Sequence, residues 1–318
     1  MRRRSFLLAA AAATLVPSER ARSAGAPGGL VLATATPGGS FPAFGQALVE
    51  ALRTVDPALA IALQPSKGSA ENVGLLKNGS VDLALVQGDY AYDALRAEPE
   101  AGPRITAVAP VSASPGLFVV PAASAIQAVP DLRGRRVALG THASGLTVMG
   151  RTVLAGSGLD PDRDIVPILL DRAGDGAVMV QDGRAAALWG AGLGWPGFRT
   201  LAEAPGGARF FGPAPDAIDR ILALGTSLRR RTVPADVFAG QHAPIETVGS
   251  WSFVLARPDI DGALVARFVA ALARSQDDLA RHYPQGGDSD PRNLVEALPR
   301  GWLHPASAAY LRDIGALP

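Results

Sequence analysis

The chain has 318 residues, of which 48% are hydrophobic, so it is long enough for two domains with sizeable cores. It contains no cysteine, which excludes disulfides, thiolate metal sites and thiol nucleophiles. Its four histidines never pair at HxxxH spacing, which argues against a zinc site, and its formal net charge of +1 gives no sign of a nucleic-acid partner.

The N-terminus has the three-part pattern of an export signal. Residues 2–4 are arginines, residues 6–16 form an apolar run too short to span a bilayer, and residues 23–26 are small. We predict that residues 1–26 are removed on export. The arginine pair is compatible with a twin-arginine signal and with a Sec signal that carries an extra arginine.

Removal of the signal changes the charge of the chain. Residues 1–24 carry five arginines and one glutamate, so the formal net charge changes from +1 to −3. The signal contains no cysteine that could carry a lipid. We therefore expect a soluble monomer in a bacterial periplasm, with no nucleic-acid partner, no metal and no cofactor.

The first part of the mature chain alternates strands and helices. Residues 30–35, 60–64 and 83–87 are short apolar runs typical of buried strands, and helical patterns follow each of them. The first of these patterns places Phe44 and Leu48 on one helix face. This βαβαβα order predicts a parallel sheet, because parallel neighbours need a crossover connection.

A glycine loop joins the first strand to the first helix. Gly38, Gly39 and Ser40 lie at the turn, where free N–H groups of a helix could hold a carboxylate or phosphate without a charged side chain. The same residues would serve a tight turn with Ser40 as the helix cap, so the pattern alone leaves both interpretations open.

Polar residues recur at the ends of the next two strands. Lys67 could pair with an acidic ligand or could be a solvated surface lysine, and Ser69 opens a helix that it could also simply cap. Gln87, at the end of the third strand, could bind a ligand amide or carboxylate or cap the following turn.

Residues 105–120 contain two β-rich runs separated by residues 112–116, which we interpret as a crossing into a second domain. Strands are predicted at residues 137–140, 165–170, 185–188 and 208–211, with helices between them. Prolines 213 and 215 indicate a return crossing. A strand at 247–256 and helices at 262–281 and 305–314 complete the pattern.

The second half repeats the strand, polar loop and helix arrangement. Thr141, Ser144 and Thr147 surround the start of a helix and could bind from the second lobe or cap that helix. Trp189 could form an apolar wall of a cleft or belong to the core, and Gly192 follows it in the next loop.

These elements predict two α/β lobes joined by two crossings, with a ligand cleft between them where strand-end loops meet. The predicted segments are 27–114 for the first part of lobe 1, 115–212 for lobe 2 and 213–318 for the return to lobe 1.

Five segments in order resemble the TAXI-type solute-binding subunits of TRAP transporters. Residues 34–45 are similar to the family's TGSPGGSYYPLG loop, 66–72 to TGGSVEN and 83–89 to AIVQSD, while 131–145 resemble DLKGKRVAVGAPGSG and 303–310 resemble PLHPGAxxYY. Departures fall at Lys67, where the family usually has Gly, at residues 41–44, where it has a Tyr pair, and at Leu146 and Trp189.

The resemblance implies a periplasmic-binding-protein fold of type II and capture of a small organic anion or amino acid, glutamate-like or dicarboxylate. It implies delivery to a TRAP-type membrane permease. With Phe41 and Asn72 from the matching segments, the expected ligand-binding residues are Gly38, Gly39, Ser40, Phe41, Lys67, Ser69, Asn72, Gln87, Thr141, Ser144, Thr147, Trp189 and Gly192.

Other functions fit the same fold. One alternative is an ABC-transporter binding protein for a sulfonate or a thiamine precursor, and another is a periplasmic ligand sensor for a membrane kinase. An enzyme is not expected, because the sequence has no GxSxG elbow and no histidine beside a nucleophile motif.

Overall fold

The computed structural model describes residues 29–97 and 104–318, so the predicted signal segment lies outside the described residues. The strands are β1 (Leu30–Ala33), β2 (Ile61–Gln64), β3 (Leu83–Gln87), β4 (Thr106–Pro121), β5 (Arg136–Thr141), β6 (Val166–Leu170), β7 (Ala187–Ala191), β8 (Ala208–Phe211), β9 (Leu228–Val233) and β10 (Ile245–Ala256). The helices are α1 (Ser40–Val55), α2 (Ser69–Lys77), α3 (Gly88–Arg96), α4 (Gly145–Gly156), α5 (Asp175–Gln181), α6 (Pro196–Ala202), α7 (Pro215–Leu224), α8 (Gly262–Arg274), α9 (Gln276–His282), α10 (Leu294–Ala297) and α11 (Pro305–Asp313).

Residues 30–97, 104–113 and 251–317 form the first lobe. Strands β2, β1 and β3 are parallel neighbours, and β10 adds to β3 in the antiparallel direction. Helix α1 buries Phe44, Leu48 and Leu52 against this sheet and α8, as the predicted helical spacing requires. The predicted βαβαβα order of this lobe is therefore confirmed.

Residues 116–248 form the second lobe. Strands β7, β5 and β6 are parallel, and the distal half of β4 pairs with β7 and β8 in the antiparallel direction. Two apolar cores cover the faces of this sheet. One is centred on Phe118 and Trp189 and the other on Leu188 and Phe198. Two α/β units therefore exist, as the alternating pattern predicts.

Two long antiparallel strands join the lobes. Strand β4 pairs with β10 from Thr106 to Pro115 and then with β7 from Gly116 onward. The break expected at residues 112–116 is wrong, because the strand continues through Pro115. Its partner in β10 is Gly249, where a Cβ would lie 2.4 Å from the carbonyl oxygen of Ser114, so a glycine permits this close approach.

The return to the first lobe comes later than residue 213. Pro215 occupies the first turn of α7, where a missing N–H costs nothing, and Ile218 and Ile221 of that helix pack in the second lobe beside α4. Val233 of β9 also belongs to the second lobe. We therefore place the return crossing in β10.

The helix predicted over residues 262–281 is divided. Helix α8 ends at Arg274 and α9 begins at Gln276. Between them the hydroxyl of Ser275 donates to the carbonyl of Leu272 at 3.1 Å and so satisfies a carbonyl of the last turn of α8. The side chain of Leu279 in α9 is fully buried and packs in the first-lobe core.

Candidate functional site

A cavity lies between the lobes at the carboxyl ends of the parallel strands. The cavity has a volume of about 50 Å³, and a single water needs roughly 10–15 Å³. A compact ligand therefore fits with both lobes in contact. The lining residues are Ala35, Thr36, Gly39, Ser40, Phe41, Gly68, Ser69, Gln87, Ser114, Gly140, Thr141, Ser144, Leu146, Leu170, Ala173, Ala191, Trp195 and Ser252.

Three helices begin at the cavity wall. Ser40 is the first residue of α1, Ser69 is the first residue of α2, and Ser144 caps α4 by accepting a hydrogen bond from the N–H of Leu146 at 3.1 Å. The first N–H groups of a helix lack partners inside it, and the helix dipole makes this end partly positive. The three starts give the cavity a positive potential from both lobes.

Hydroxyl groups complete the polar wall. Ser69 is 2% exposed, and its oxygen accepts from the N–H of Gln87 at 3.1 Å, which leaves its own hydrogen free to donate. Ser252 is 1% exposed and lines the cavity, and its hydroxyl has no hydrogen-bond partner in residues 29–97 and 104–318. This hydroxyl is therefore available to a ligand in the cavity.

The lining carries no formal charge. Within the part of the chain that the structure describes, no Asp, Glu, Lys, Arg or His lines the cavity. The side chain of Lys67 is exposed to solvent and does not belong to the lining. Its backbone N–H donates to the carboxylate of Glu71, which holds the loop rather than the ligand site.

The lobes touch directly around the cavity. The indole N–H of Trp195 donates to the carbonyl of Gly38 at 3.0 Å, and the N–H of Ala173 donates to the hydroxyl of Thr36 at 3.1 Å. On the other side the N–H of Ala70 donates to the carbonyl of Ala143 at 3.1 Å. These contacts enclose the cavity and describe a closed arrangement of the two lobes.

The segment after α9 braces the hinge edge of the cleft. Gln285 accepts from the N–H of Leu193 in the second lobe at 2.7 Å and donates to Asp288 of its own lobe at 3.2 Å. Asp288 in turn accepts from the N–H of Ala113 in β4 at 3.2 Å, while burial raises the pKa of its carboxyl. Gln285 therefore connects the first lobe to the loop that carries Trp195.

Seven of the predicted ligand-binding residues line the cavity together. They are Gly39, Ser40, Phe41, Ser69, Gln87, Thr141 and Ser144. Gly38 lies beside them at the contact between the lobes, where its carbonyl receives the indole of Trp195.

Other predicted residues serve the fold. The amide of Asn72 donates to the carbonyls of Thr34 and Leu85, both at 2.7 Å, and thus ties α2 to two strands of the sheet. The hydroxyl of Thr147 donates to the carbonyl of Thr141 at 2.7 Å, inside the second lobe. These side chains do not line the cavity: backbone carbonyls accept their hydrogen bonds, while the amide oxygen of Asn72 is buried without a partner among the described residues.

Trp189 and Gly192 also lie away from the lining. Trp189 is fully buried, its indole N–H donates to the carbonyl of Leu146 at 2.9 Å, and its ring lies 4.7 Å from that of Phe118. Of its two interpretations, the core position is the one that the structure shows. Gly192 has a φ of +92° and turns the chain toward Trp195, so its contribution is a backbone conformation.

Sequence reasoning missed Ser114, Trp195 and Ser252. The two serines interrupt otherwise apolar strands, and that interruption was an available signal, because buried polar groups need a reason. No comparable signal marks Trp195. The sequence shows that it follows β7, but it does not show that the loop folds over the cavity.

The described residues hold neither a metal-binding cluster of side chains nor a helix that could span a membrane. Residues 29–97 and 104–318 contain no group of three or more His, Cys, Asp or Glu side chains arranged to hold a metal ion. Over the same residues, no helix combines the length and the hydropathy needed to cross a membrane.

Comparisons with known proteins place the chain. A model of the NMT1-like family matches residues 32–315, and no curated protein matches. The alkanesulfonate-binding protein SsuA from Xanthomonas axonopodis pv. citri, bound to MOPS, is 22% identical over 93% of this chain and 86% of its own, with a TM-score of 0.50.

Two other solved structures share the architecture. Tv2483 bound to L-arginine is 12% identical over 81% of this chain and 92% of its own, with a TM-score of 0.53. A protein from Bordetella bronchiseptica RB50 is 16% identical over 92% and 90% of the two chains, with a TM-score of 0.52. At these identities the likeness shows the fold, and it confirms the predicted two-lobed fold of periplasmic binding proteins.

Proposed function

The chain belongs to the NMT1-like family, and we propose that it is an exported solute-binding protein that closes its two lobes on a small organic anion. One observation carries the proposal: three helix starts and several hydroxyls from both lobes converge on a closed cavity that has no charged side chain among its described lining residues. Helix N-termini and hydroxyls bind anions without a counter-charge.

The mechanism is closure linked to ligand binding. Ligand held at Ser40 and Ser69 of the first lobe gains contacts with Thr141 and Ser144 of the second lobe only when the lobes meet. A ligand shifts an open–closed equilibrium by the difference between its affinities for the two states. The closed face is then the form that a membrane partner recognises.

Sulfonates are the first ligands to test. The Xanthomonas protein with the same fold is an alkanesulfonate-binding protein, and a sulfonate offers three acceptor oxygens to the converging donors. Small carboxylates, including the dicarboxylates and glutamate-like acids that the TAXI resemblance implies, are the second group.

For the membrane partner we propose an ABC-type importer. The NMT1-like family match and the sulfonate-binding relative support this alternative more than the TRAP permease implied by the TAXI-like segments. The five segments keep the TRAP permease as the second candidate. Neighbouring genes distinguish the candidates: an ATPase with a permease indicates ABC, a large multi-span permease indicates TRAP, and a histidine kinase indicates the sensor.

A thermal-shift screen of residues 27–318 tests the proposed function. The panel contains sulfonates, carboxylates, amino acids and amines. A ligand that binds only the folded state stabilises it by about 2.7 kcal/mol at a hundred times its Kd, so the midpoint rises with concentration. We expect anions to raise it. A rise with amines alone would contradict the anion site.

A further inference from the structure

We propose that the cavity selects a ligand with one anionic group and no ammonium group, and that Ser252 is one of its contacts. The inference rests on the proposed function and specifies the ligand class of the same site. It departs from the amino acids and dicarboxylates that the sequence resemblance implies.

The cavity offers an ammonium group no charged acceptor among its described lining residues. An ammonium group taken from water needs a carboxylate or several free acceptors, and the described lining has no carboxylate. Two carbonyls beside the lining are engaged: Gly38 accepts from Trp195, and Thr141 accepts from the hydroxyl of Thr147 and the N–H of Ser144. The acceptors that remain, such as the amide oxygen of Gln87 and the serine hydroxyls, carry no charge. An ammonium group would therefore remain poorly paired in the closed cavity.

Two serine hydroxyls in the cavity wall have a hydrogen that they can donate to a ligand. Ser252 pairs with Gln87 of β3 on one side and with Ser112 of β4 on the other, at an irregularity in β10. This position puts its hydroxyl at the crossing between the lobes, where it lines the cavity and has no hydrogen-bond partner among the described residues. Ser69 offers a second hydroxyl hydrogen on the same wall. Both hydroxyls can therefore donate to the oxygens of an anion.

The lining also limits the number of anionic groups that a ligand can carry. The rest of the lining is largely apolar, with contributions from Phe41, Leu146, Leu170 and Trp195. The described lining has no arginine or lysine that could neutralise a second anionic group, and burying an unpaired charge is strongly unfavourable. The cavity thus fits an anionic head on a short uncharged body.

Isothermal titration calorimetry with two matched series tests this inference. The sulfonate series is ethanesulfonate, taurine and 1,2-ethanedisulfonate, and the carboxylate series is butyrate, 4-aminobutyrate and glutarate. We expect the singly charged anion of at least one series to bind about tenfold or more tighter than its ammonium-bearing and doubly charged partners.

The outcomes separate the two proposals. If compounds bind but in neither series does the singly charged anion bind tighter than both of its partners, the inference is overturned and the solute-binding function is kept. Binding of none of the six compounds overturns the inference and, together with silence in the thermal-shift panel, the proposed function as well.

Two variants test the residues. Ser252→Ala should weaken binding of the preferred anion about fivefold, while Ser307→Ala should leave affinity unchanged. Ser307 is a matched control because it is equally buried in the first lobe but donates to the carbonyl of Val108 at 2.8 Å, away from the cavity. Equal affinities of wild type and Ser252→Ala would remove Ser252 from the site.

Gln87→Glu supplies a gain-of-function test. Gln87 lines the cavity, and a carboxylate at its position before α3 gains from the helix dipole, so the thermal midpoint of the unliganded variant is measured to check that it still folds. We expect the variant to lose the singly charged anion and to rank the ammonium-bearing partner above it. An unchanged ranking would show that lining charge does not set selectivity and would overturn the proposal.

Discussion

At Gly38 the backbone has a φ of +82°, and a Cβ atom there would lie 2.5 Å from the Cα of Gly174 in the other lobe. The residue therefore satisfies two separate requirements. The first is a left-handed backbone conformation, which disfavours other residues wherever it occurs. The second is the close approach of the two lobes, which only the closed arrangement needs.

Gly38→Ala tests the second requirement. The positive φ costs about 1–2 kcal/mol of stability, and if the clash costs closure a further 1.4 kcal/mol or so, ligand affinity falls about tenfold. Gly79→Ala is the control, because Gly79 also has a positive φ of +71° but has open space around it. Thermal midpoints should fall similarly in both variants, and affinity should fall only in Gly38→Ala. Equal affinities would show that this contact is not needed for binding.

Lys67 gives a second prediction at the level of a single residue, which concerns its contribution to ligand affinity. The sequence predicts a several-fold loss of affinity for an acidic ligand in Lys67→Ala, while the structure places this side chain in solvent, outside the lining. A solvated charge is screened, so we expect Lys67→Ala to change affinity less than about twofold, as should Lys77→Ala, an exposed lysine at the end of α2. Titration of the preferred anion measures both. A several-fold loss in Lys67→Ala alone would support the sequence-based role.

Single residues also show where sequence reasoning stops. Ser40 and Ser69 were predictable because a small polar residue between a strand and a helix has few places to lie. The two tryptophans were not. Trp189 lies within β7, a strand buried on both faces, so its position in the strand does not show whether it lines the cleft, and Trp195 reaches the cavity through the loop that turns at Gly192.

Among the helices, α11 has a titratable cap. The ring nitrogen Nδ1 of His304 accepts from the N–H of Ala306 at 3.1 Å, and the backbone N–H of His304 donates to the carbonyl of Ala107 in β4 at 2.8 Å. Burial lowers the pKa of His304 below its ordinary value of 6.5. Because Nδ1 can accept only when it carries no proton, the cap exists only while the imidazole is neutral.

This cap predicts a pH dependence of stability. A histidine whose pKa is lower in the folded state contributes stability above pH 6.5, and this contribution is lost as the pH falls from 6.5 through the folded-state pKa. His304→Asn keeps a capping side chain that does not titrate. We expect the midpoint of wild type to fall relative to the variant between pH 7.5 and 5, by an amount that reflects a cap of about 1 kcal/mol.

Thermal unfolding of both proteins across this range measures the difference, and the exposed histidines cancel in the comparison. Parallel curves would show that protonation does not break the cap.

Element boundaries separate what local patterns specify from what packing decides. The parallel strands β1, β2 and β3 follow from apolar runs and crossover helices. The continuity of β4 through Pro115 does not, because proline and serines are typical of breaks and only the pairing with Gly249 keeps the strand extended. The return crossing was misplaced for a similar reason: Pro215 starts α7 rather than ending a lobe.

For the molecule as a whole, the closed arrangement depends on contacts that the ligand does not make. Gln285 is 8% exposed and lies outside the lining, yet its amide connects Leu193 of the second lobe with Asp288 of the first. Loss of this link should destabilise the closed state and leave the ligand's own contacts intact.

Gln285→Met tests the link, because methionine keeps the volume and removes the hydrogen bonds of the amide with Leu193, Asp288 and the carbonyl of Ala113. We expect the dissociation rate of the preferred anion to rise about tenfold with a smaller change in the association rate, since changes in affinity among related complexes fall mainly on dissociation. Gln181→Met is the control, because Gln181 is an exposed residue of α5 whose amide reaches only the carbonyl of Thr200. Stopped-flow kinetics with small-angle scattering measures rates and closure. Identical rates in the three proteins would exclude a role for Gln285 in closure.

The crossing strands also determine the order in which the molecule can be completed during synthesis. The second lobe is one continuous stretch, while the first lobe combines residues 30–97 and 104–113 with residues 251–317. Until the ribosome has made α8 and α9, Phe44 and Leu48 lack Phe268, Leu272 and Tyr283, the residues that cover them in the finished core. The core around Phe44 and Leu48 is therefore completed only after the second lobe has been synthesised.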